Sequence, residues 1–129
     1  GGIATEYRFE AVKAGVVVFT VRKGPARQPY LKVRVSDNHL VIGDTYDVAE
    51  IRLMAESEYG DTLCFCQEAL KLRTEGPIAL IGPEMISLNG GMGGVYVRTT
   101  GEEGRAVLIL SSELFGEMRI DFTVEKEVL

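Results

Sequence analysis

The chain has 129 residues, of which 46% are apolar and 26% charged, and this composition suits one globular domain with a single core. The net charge of −5 at pH 7 argues against a nucleic-acid partner, because phosphate binding needs a basic surface. No apolar run approaches the roughly 20 residues that a membrane-spanning helix needs. We therefore expect neither a nucleic acid nor a membrane among its partners.

The first predicted element is a β-hairpin in residues 1–24, where EYRFEAV and VVVFTVR flank a short glycine-containing turn. Residues 25–29 are predicted to be a linker, because Pro25 and Pro29 cannot lie in a central strand. Residues 30–129 then contain seven or eight further strand candidates. We expect them to form one β-sandwich of about 100 residues.

Apolar and polar residues alternate along several of these segments, as they do in antiparallel strands with one buried face. Turns rich in Gly, Pro and Asp separate the segments, and no window sustains the spacing of an amphipathic helix. The predicted fold is therefore all-β, a sandwich of two sheets around one core. The predicted core residues of these alternating segments are Leu31, Val33, Val35, Ala49, Ile51, Leu53, Ala55, Leu70, Leu72, Met118, Ile120, Phe122 and Val124.

The segment LNGGMGGVYVRTT contains four glycines, Gly90, Gly91, Gly93 and Gly94. A dinucleotide-binding loop would need a third glycine and a following helix, whereas Tyr96 occupies the third position within a β-branched, aromatic run. The glycines instead predict positive φ angles and close backbone approach where one strand ends and the next begins.

Residues able to bind a metal or act in catalysis are few. Cys64 and Cys66 form one C-x-C pair and His39 is the single histidine, so a four-ligand zinc site cannot be assembled within the chain. Acidic residues near two turns, including Asp44 and Asp47, lack the calcium-loop pattern. We expect no metal or other cofactor and two free thiols. Free thiols, together with an N-terminus without a signal-peptide pattern, indicate a cytoplasmic location.

The segment RAVLILSS breaks the alternation, because residues 106–110 are all apolar. A strand that is apolar on both faces is usually buried on both. Either other elements of the chain, such as the N-terminal hairpin, cover its outer face, or a neighbouring domain docks there. We therefore predict that Val107 and Ile109 form or support a domain-packing contact.

Exposed aromatic rings are the usual basis of sugar binding on a sandwich face. The chain has no tryptophan and five tyrosines. Tyr59, in the turn SEYGD, and Tyr96, in the strand after the glycines, are the candidates for a carbohydrate contact. Packing in the core or at a sheet edge is the competing interpretation of both residues.

Two long segments resemble known families. SDNHLVIGDTYDVAEIRLMAESEYGDTL resembles the first half of bacterial Ig-like domains of the invasin type, where a turn similar to Glu58–Asp61 follows the second strand. LIGPEMISLNGGMGGVYVRTTGEEGRAVLILSSELFGEMRIDFTVE is similar to the C-terminal Ig-like domain of β-galactosidases of glycoside hydrolase family 2. YRFEAVKAGVVVFTVRKGP resembles the tail that connects the preceding β-domain to it.

This resemblance implies that residues 30–129 form an immunoglobulin-like domain and that the hairpin in residues 1–24 is the tail of a preceding β-domain. It further implies a non-catalytic accessory domain of an enzyme that hydrolyses terminal β-galactosides. The catalytic glutamates of that family lie in a TIM barrel, which needs about 200 residues or more, and no residue here matches them. The implied partners are the other domains of the parent glycosidase, with contacts between copies of the chain and weak carbohydrate binding as further expectations. A carbohydrate-binding module and an Ig-like spacer of a bacterial surface adhesin are the alternative functions.

Overall fold

A computed structural model describes residues 5–13, 16–23 and 29–128, with side chains for 18–20 and 29–128. These residues form strands and turns, and no helix among them could cross a membrane. The strands are β1 (Thr5–Lys13), β2 (Val16–Lys23), β3 (Tyr30–Val35), β4 (His39–Ile42), β5 (Val48–Glu56), β6 (Ala69–Glu75), β7 (Ile78–Ile81), β8 (Met85–Ser87), β9 (Met92–Thr99), β10 (Gly104–Ser112) and β11 (Gly116–Lys126).

The strands form two sheets, which confirms the all-β sandwich. The six-stranded sheet has the order β1-β2-β3-β5-β9-β7, and the five-stranded sheet has the order β4-β11-β10-β6-β8. Neighbouring strands are antiparallel except for β4 and β11, which pair in parallel from His39 opposite Thr123. His39 therefore begins a strand.

The core lies between the sheets and contains every residue that the alternation predicted. Leu31, Val33, Val35, Ala49, Ile51, Leu53, Ala55, Leu70, Leu72, Met118, Ile120, Phe122 and Val124 are all buried. The strands that carry these residues are apolar on alternate positions, because one face of each sheet contacts the core and the other does not. Residues outside the alternating segments complete the core, including Leu40, Leu88 and Phe115.

The predicted N-terminal hairpin is confirmed, since β1 and β2 pair in antiparallel fashion. The hairpin extends the six-stranded sheet, because Val17–Val21 pair with Leu31–Val35 of β3. It lies in the sheet opposite β10 and is not the cover suggested for the outer face of that strand. Residues 24–28, most of the predicted linker, lie outside the described part of the chain. The division at residues 25–29 stays a prediction.

The glycine-rich segment is a turn that leads into a strand, as predicted. The positive φ angles predicted for its glycines are confirmed at Gly90 and Gly91 and wrong at Gly93 and Gly94, which lie within β9. Gly90 and Gly91 have φ angles of 61° and 79°, and Asn89 and Met92 exchange backbone hydrogen bonds of 2.8 and 3.1 Å on either side of them. Both central residues of such a tight hairpin turn need positive φ, which favours glycine. A Cβ atom on Gly91 would lie 2.4 Å from the Leu63 carbonyl oxygen. The turn therefore packs directly on the loop between β5 and β6.

Candidate functional site

The outer face of the six-stranded sheet carries an ordered array of polar side chains. On its central strands, residues directly opposite one another form rows across the sheet. One row consists of Arg34 of β3, Arg52 of β5 and Gly94 of β9, and the row beside it pairs Glu50 with Tyr96. Strand alternation turns these residues away from the core that Val33, Ile51 and Val95 occupy.

Arg34 and Arg52 place two positive charges directly opposite each other on this face. Arg52 forms an ion pair with Glu50, through its Nε and the carboxylate Oε1. Among the described residues no ion pair involves Arg34. Like charges at directly opposed positions destabilise a sheet, so packing or stability does not explain this pair. We call the two guanidinium groups the cationic ridge.

Glu50 is held in its charged form by the same neighbours. The hydrogen bond from the Arg52 guanidinium lowers the pKa of Glu50 below its ordinary value of 4.5, against an opposing effect of desolvation. The Tyr96 hydroxyl donates a 3.2 Å hydrogen bond to Oε2 and lowers the same pKa further. The carboxylate therefore fixes the positions of both the Arg52 and the Tyr96 side chains.

Two shallow hollows adjoin the cationic ridge. Arg34, Ser36, Glu50 and Arg52 line a polar hollow of about 400 Å³. The second, which we call the apolar hollow, has a volume of about 330 Å³. It is lined by both ridge arginines together with Lys32, Leu53, Met54, Met92 and Gly93.

Gly94 opens the floor of the face beside Arg52. The nearest atom to a Cβ built on this glycine is the Ile51 carbonyl oxygen at 3.9 Å, so a side chain would fit there without a clash. Its absence exposes backbone between the half-exposed side chains of Met92 and Tyr96. Glycine thus leaves space at this point on the surface, although the turn geometry does not require it here.

The outer face of the five-stranded sheet is built differently. Val107 and Ile109 of β10 point away from the core, yet they are only 7% and 3% exposed. Arg73 of β6 and Arg119 of β11 lie directly opposite Ile109 on either side. Long charged side chains cover apolar neighbours with their aliphatic stems while their charges stay in water. The face is therefore covered by residues of the chain itself.

An ion pair closes this arrangement above β10. Arg119 Nη2 lies 3.8 Å from Glu75 Oε2, and Glu75 is directly opposite Val107. Asp121 flanks Val107 on the other side. We call Arg73, Glu75, Arg119 and Asp121 the charged cover. The domain-packing role of Val107 and Ile109 stays a prediction. In such a contact the charged cover would lie between these two residues and the neighbouring domain.

The loop between β5 and β6 exposes two aromatic rings at one end of the sandwich. Tyr59 is 83% and Phe65 is 97% exposed. Phe65 lies between Cys64 and Cys66, which are free thiols. It is at the tip of a turn in which the Cys66 amide donates a 2.9 Å hydrogen bond to the Leu63 carbonyl oxygen. We call residues 57–66 the aromatic loop.

The structure does not bring the two carbohydrate candidates together. Tyr96 lies opposite Glu50 near the start of β5, whereas Tyr59 follows the end of that strand at Glu56. Six residues of strand separate these positions by about 20 Å, too far for one sugar platform. Each tyrosine would have to act in a separate site, and the carbohydrate role of both stays a prediction.

Of the two carboxylates named above for calcium, Asp47 has structural partners. Asp47 accepts hydrogen bonds from the backbone amides of Val41 and Val48, at 3.0 and 2.9 Å. His39 contacts Thr123 at 2.9 Å and Glu125 at 3.5 Å on the surface. In residues 29–128 no three His, Cys, Asp or Glu side chains lie close enough to hold a metal ion.

Sequence reasoning missed the importance of Arg34, Arg52 and Phe65. Alternation placed both arginines on a solvent-facing side, which is the ordinary position of a charged residue. Their direct opposition depends on the register between β3 and β5, which the sequence pattern does not reveal. A phenylalanine between two cysteines looks like part of a strand, and only the turn at Cys64–Cys66 exposes it.

Comparisons with known proteins place the chain among glycosidases. It is 32% identical over 94 residues to a β-galactosidase of Rhizobium radiobacter, covering 73% of this chain and 67% of that protein. It is 26% identical over 93 residues to a β-galactosidase of Thermoanaerobacter pseudethanolicus, covering 72% of this chain but only 12% of that protein. No family model matches the chain.

A solved structure has the same fold. A glycosyl hydrolase family 2 member from Bacteroides cellulosilyticus superposes on 85% of this chain with a TM-score of 0.66 and 13% sequence identity, and the match covers 17% of that protein. At this identity the likeness shows the fold alone. Together with the sequence relatives, it confirms the resemblance to a β-galactosidase sandwich domain: this chain belongs to the β-galactosidase family.

Proposed function

We propose that the chain is a non-catalytic accessory domain of a β-galactosidase of glycoside hydrolase family 2, and that it packs against other domains of the parent enzyme. The observation that supports this proposal most directly is the match to the Thermoanaerobacter β-galactosidase, of which this chain covers 12%. Most of that relative lies outside the matched segment. Hydrolysis of β-galactosides is then a property of the parent chain.

The best-positioned carboxylates of the described residues support this assignment, because they hold the fold together. Glu68 Oε2 accepts hydrogen bonds from the Ser112 hydroxyl at 2.8 Å and the Leu114 amide. Glu56 is buried and accepts a 2.7 Å hydrogen bond from the Tyr30 hydroxyl. A glycosidase needs two carboxyl groups facing a sugar across an open cleft. These groups face backbone, serine and tyrosine donors instead.

The aromatic loop is the surface best suited to contact another domain. Buried aromatic anchors dominate the energetics of protein interfaces, and a ring that is 97% exposed, as in Phe65, gains nothing where it stands. Val107 and Ile109 would support a second contact from beneath the charged cover. Contacts between copies of the chain, an oligomeric role and a cytoplasmic location also stay predictions.

The proposal can be tested by making one substitution, Phe65→Asp, both in the 129-residue chain and in the full-length glycosidase. Phe65→Asp should leave the thermal unfolding of the 129-residue chain unchanged, because the ring is exposed there. In the full-length glycosidase it should lower the unfolding temperature of the assembled enzyme, since a charge would enter a desolvated contact. Val128→Asp is the matched control, because Val128 is 94% exposed.

Two results would count against the proposal. The first is hydrolysis of an aryl β-galactoside by the 129-residue chain itself, which would make the domain catalytic. The second is a full-length enzyme that tolerates Phe65→Asp as well as Val128→Asp, which would remove the aromatic loop from any interface. Deleting the domain would then show whether another surface forms the contact.

The carbohydrate-binding alternative has one specific observation in its favour, the position of Tyr96 next to the polar hollow that Glu50 lines. Tyr96 is 44% exposed and its hydroxyl is tied to Glu50, so the ring presents a fixed surface next to the polar hollow. Sugar binding that is lost in Tyr96→Ala would support this alternative. The adhesin-spacer alternative predicts tandem copies of the domain, and relatives named β-galactosidase favour the glycosidase interpretation over it.

A further inference from the structure

The cationic ridge has the composition of an anion site on an otherwise acidic chain. Arg34 and Arg52 stand directly opposite each other, and Glu50 compensates only one of them. Lys32 adds a third positive charge to the apolar hollow. A carboxylate placed between two guanidinium groups would accept paired hydrogen bonds and relieve the repulsion between them.

The surroundings of the ridge suit a sugar rather than a simple anion. The polar hollow offers Ser36 and Glu50 as hydrogen-bond partners for hydroxyl groups, with the Tyr96 ring beside them. The apolar hollow offers Met54 and Met92 to the C–H face of a ring. Its volume and that of the polar hollow, about 330 and 400 Å³, lie at the lower end of the range for small-molecule sites.

The opposite face of the molecule also has two hollows, of about 430 and 400 Å³, but its arginines are arranged differently. There Arg73 and Arg119 flank Ile109 rather than each other, and acidic Glu75 and Asp121 occupy the neighbouring row. Arg119 is paired with Glu75 across the strand. The Arg119 charge on that face is therefore balanced, and the stems of Arg73 and Arg119 cover an apolar strand.

We propose that the outer face of the six-stranded sheet binds a carboxylate-bearing saccharide, whose carboxylate contacts Arg34 and Arg52 while its rings occupy the two hollows. Gly94 leaves the floor of the site open between Met92 and Tyr96. Arg34 is the specificity-determining residue, because it has no ion-pair partner among the described residues. This inference does not depend on the domain-packing role of the chain.

The test is calorimetric titration of the 129-residue chain at low ionic strength with digalacturonate, with neutral galactobiose and with sodium sulfate, each into the millimolar range. Digalacturonate should bind at least ten times more tightly than galactobiose. Arg34→Gln should weaken digalacturonate binding at least tenfold, and Gly94→Val should abolish it by filling the floor. Arg73→Gln on the other sheet is the matched control and should bind normally. Thermal unfolding establishes that each variant is folded.

Each other outcome would overturn the proposal. Equal affinity for galactobiose and digalacturonate would show that the site does not recognise the carboxylate group. Equal affinity for sulfate and digalacturonate would show that the site binds anions in general and not a saccharide. Binding that survives both Arg34→Gln and Gly94→Val would place the saccharide elsewhere, and flat titrations of the unmodified chain with every probe would exclude the site.

Discussion

The two outer faces of this sandwich solve the problem of a solvent-facing sheet in opposite ways. On the five-stranded sheet the central strand is apolar outside as well as inside, and the charged cover from β6 and β11 lies over Val107 and Ile109. On the six-stranded sheet the central residues are charged, and Gly94 leaves backbone bare beside them. On the first face the charged side chains stabilise the fold, whereas on the second a positive charge is left available to a ligand.

The largest expected effect comes from placing charges beneath the charged cover. Val107 lies between Glu75 and Asp121, whereas Ile109 lies between Arg73 and Arg119. Val107→Glu and Ile109→Lys should each lower the free energy of unfolding by about 3 kcal/mol, because an unpaired charge enters a buried site beside like charges.

The opposite charges at these positions should be less harmful. Val107→Lys and Ile109→Glu each meet flanking partners of opposite sign, so each should be more stable than its counterpart. Urea denaturation of the four variants measures this crossover. Val48→Glu on the other face is the control and should change stability by less than about 0.5 kcal/mol, because Val48 is 40% exposed. Four equal losses would mean that the flanking charges do not cover β10.

Replacing one arginine on each face should change the free energy of unfolding in opposite directions. Arg119→Gln should lower stability by about 1 kcal/mol, because it removes the ion pair with Glu75 and part of the cover over Ile109. Arg34→Gln should raise stability by a few tenths of a kcal/mol, because it removes a like-charge opposition with Arg52. Differential scanning calorimetry at low salt measures both. Equal losses on both faces would contradict the idea that the ridge is a stability cost.

Gly94→Ala should separate stability from binding on the open face. The added methyl group meets only ordinary contact distances, so the unfolding free energy should change by less than about 0.5 kcal/mol. Gly91→Ala, with its φ of 79° and a 2.4 Å approach to Leu63, should instead cost about 2 kcal/mol or more. Thermal unfolding compares the two. A similar loss at both glycines would show that Gly94 is structurally required.

The smallest effect concerns the ionisation of Glu50. A lowered pKa means that the carboxylate contributes stability at pH values above its ordinary 4.5, and that this contribution is lost as the pH falls through the lowered pKa. Arg52→Gln should raise the pKa of Glu50 most, and Tyr96→Phe should raise it less. Carbon-detected NMR titration of the Glu50 carboxyl group follows both changes. An unchanged pKa in Arg52→Gln would mean that the ion pair is not formed in solution.

The sequence was sufficient for features that depend on local pattern. Alternation identified which face of each strand is buried, because the side-chain period of a strand is two. The glycine-rich turn was predictable because Gly90 and Gly91 are the residues that positive φ requires. Strand pairing was not predictable in the same way. Whether Arg34 lies opposite Arg52, or Ile109 between two arginines, depends on register between segments far apart in sequence.

The most direct test of the difference between the two faces is one NMR experiment, a ¹⁵N-edited titration of the 129-residue chain with digalacturonate. We predict that amide shifts concentrate at Arg34, Arg52, Gly94 and Tyr96, while those of Val107 and Ile109 stay constant. Shifts centred on β10, or spread evenly over both sheets, would contradict it.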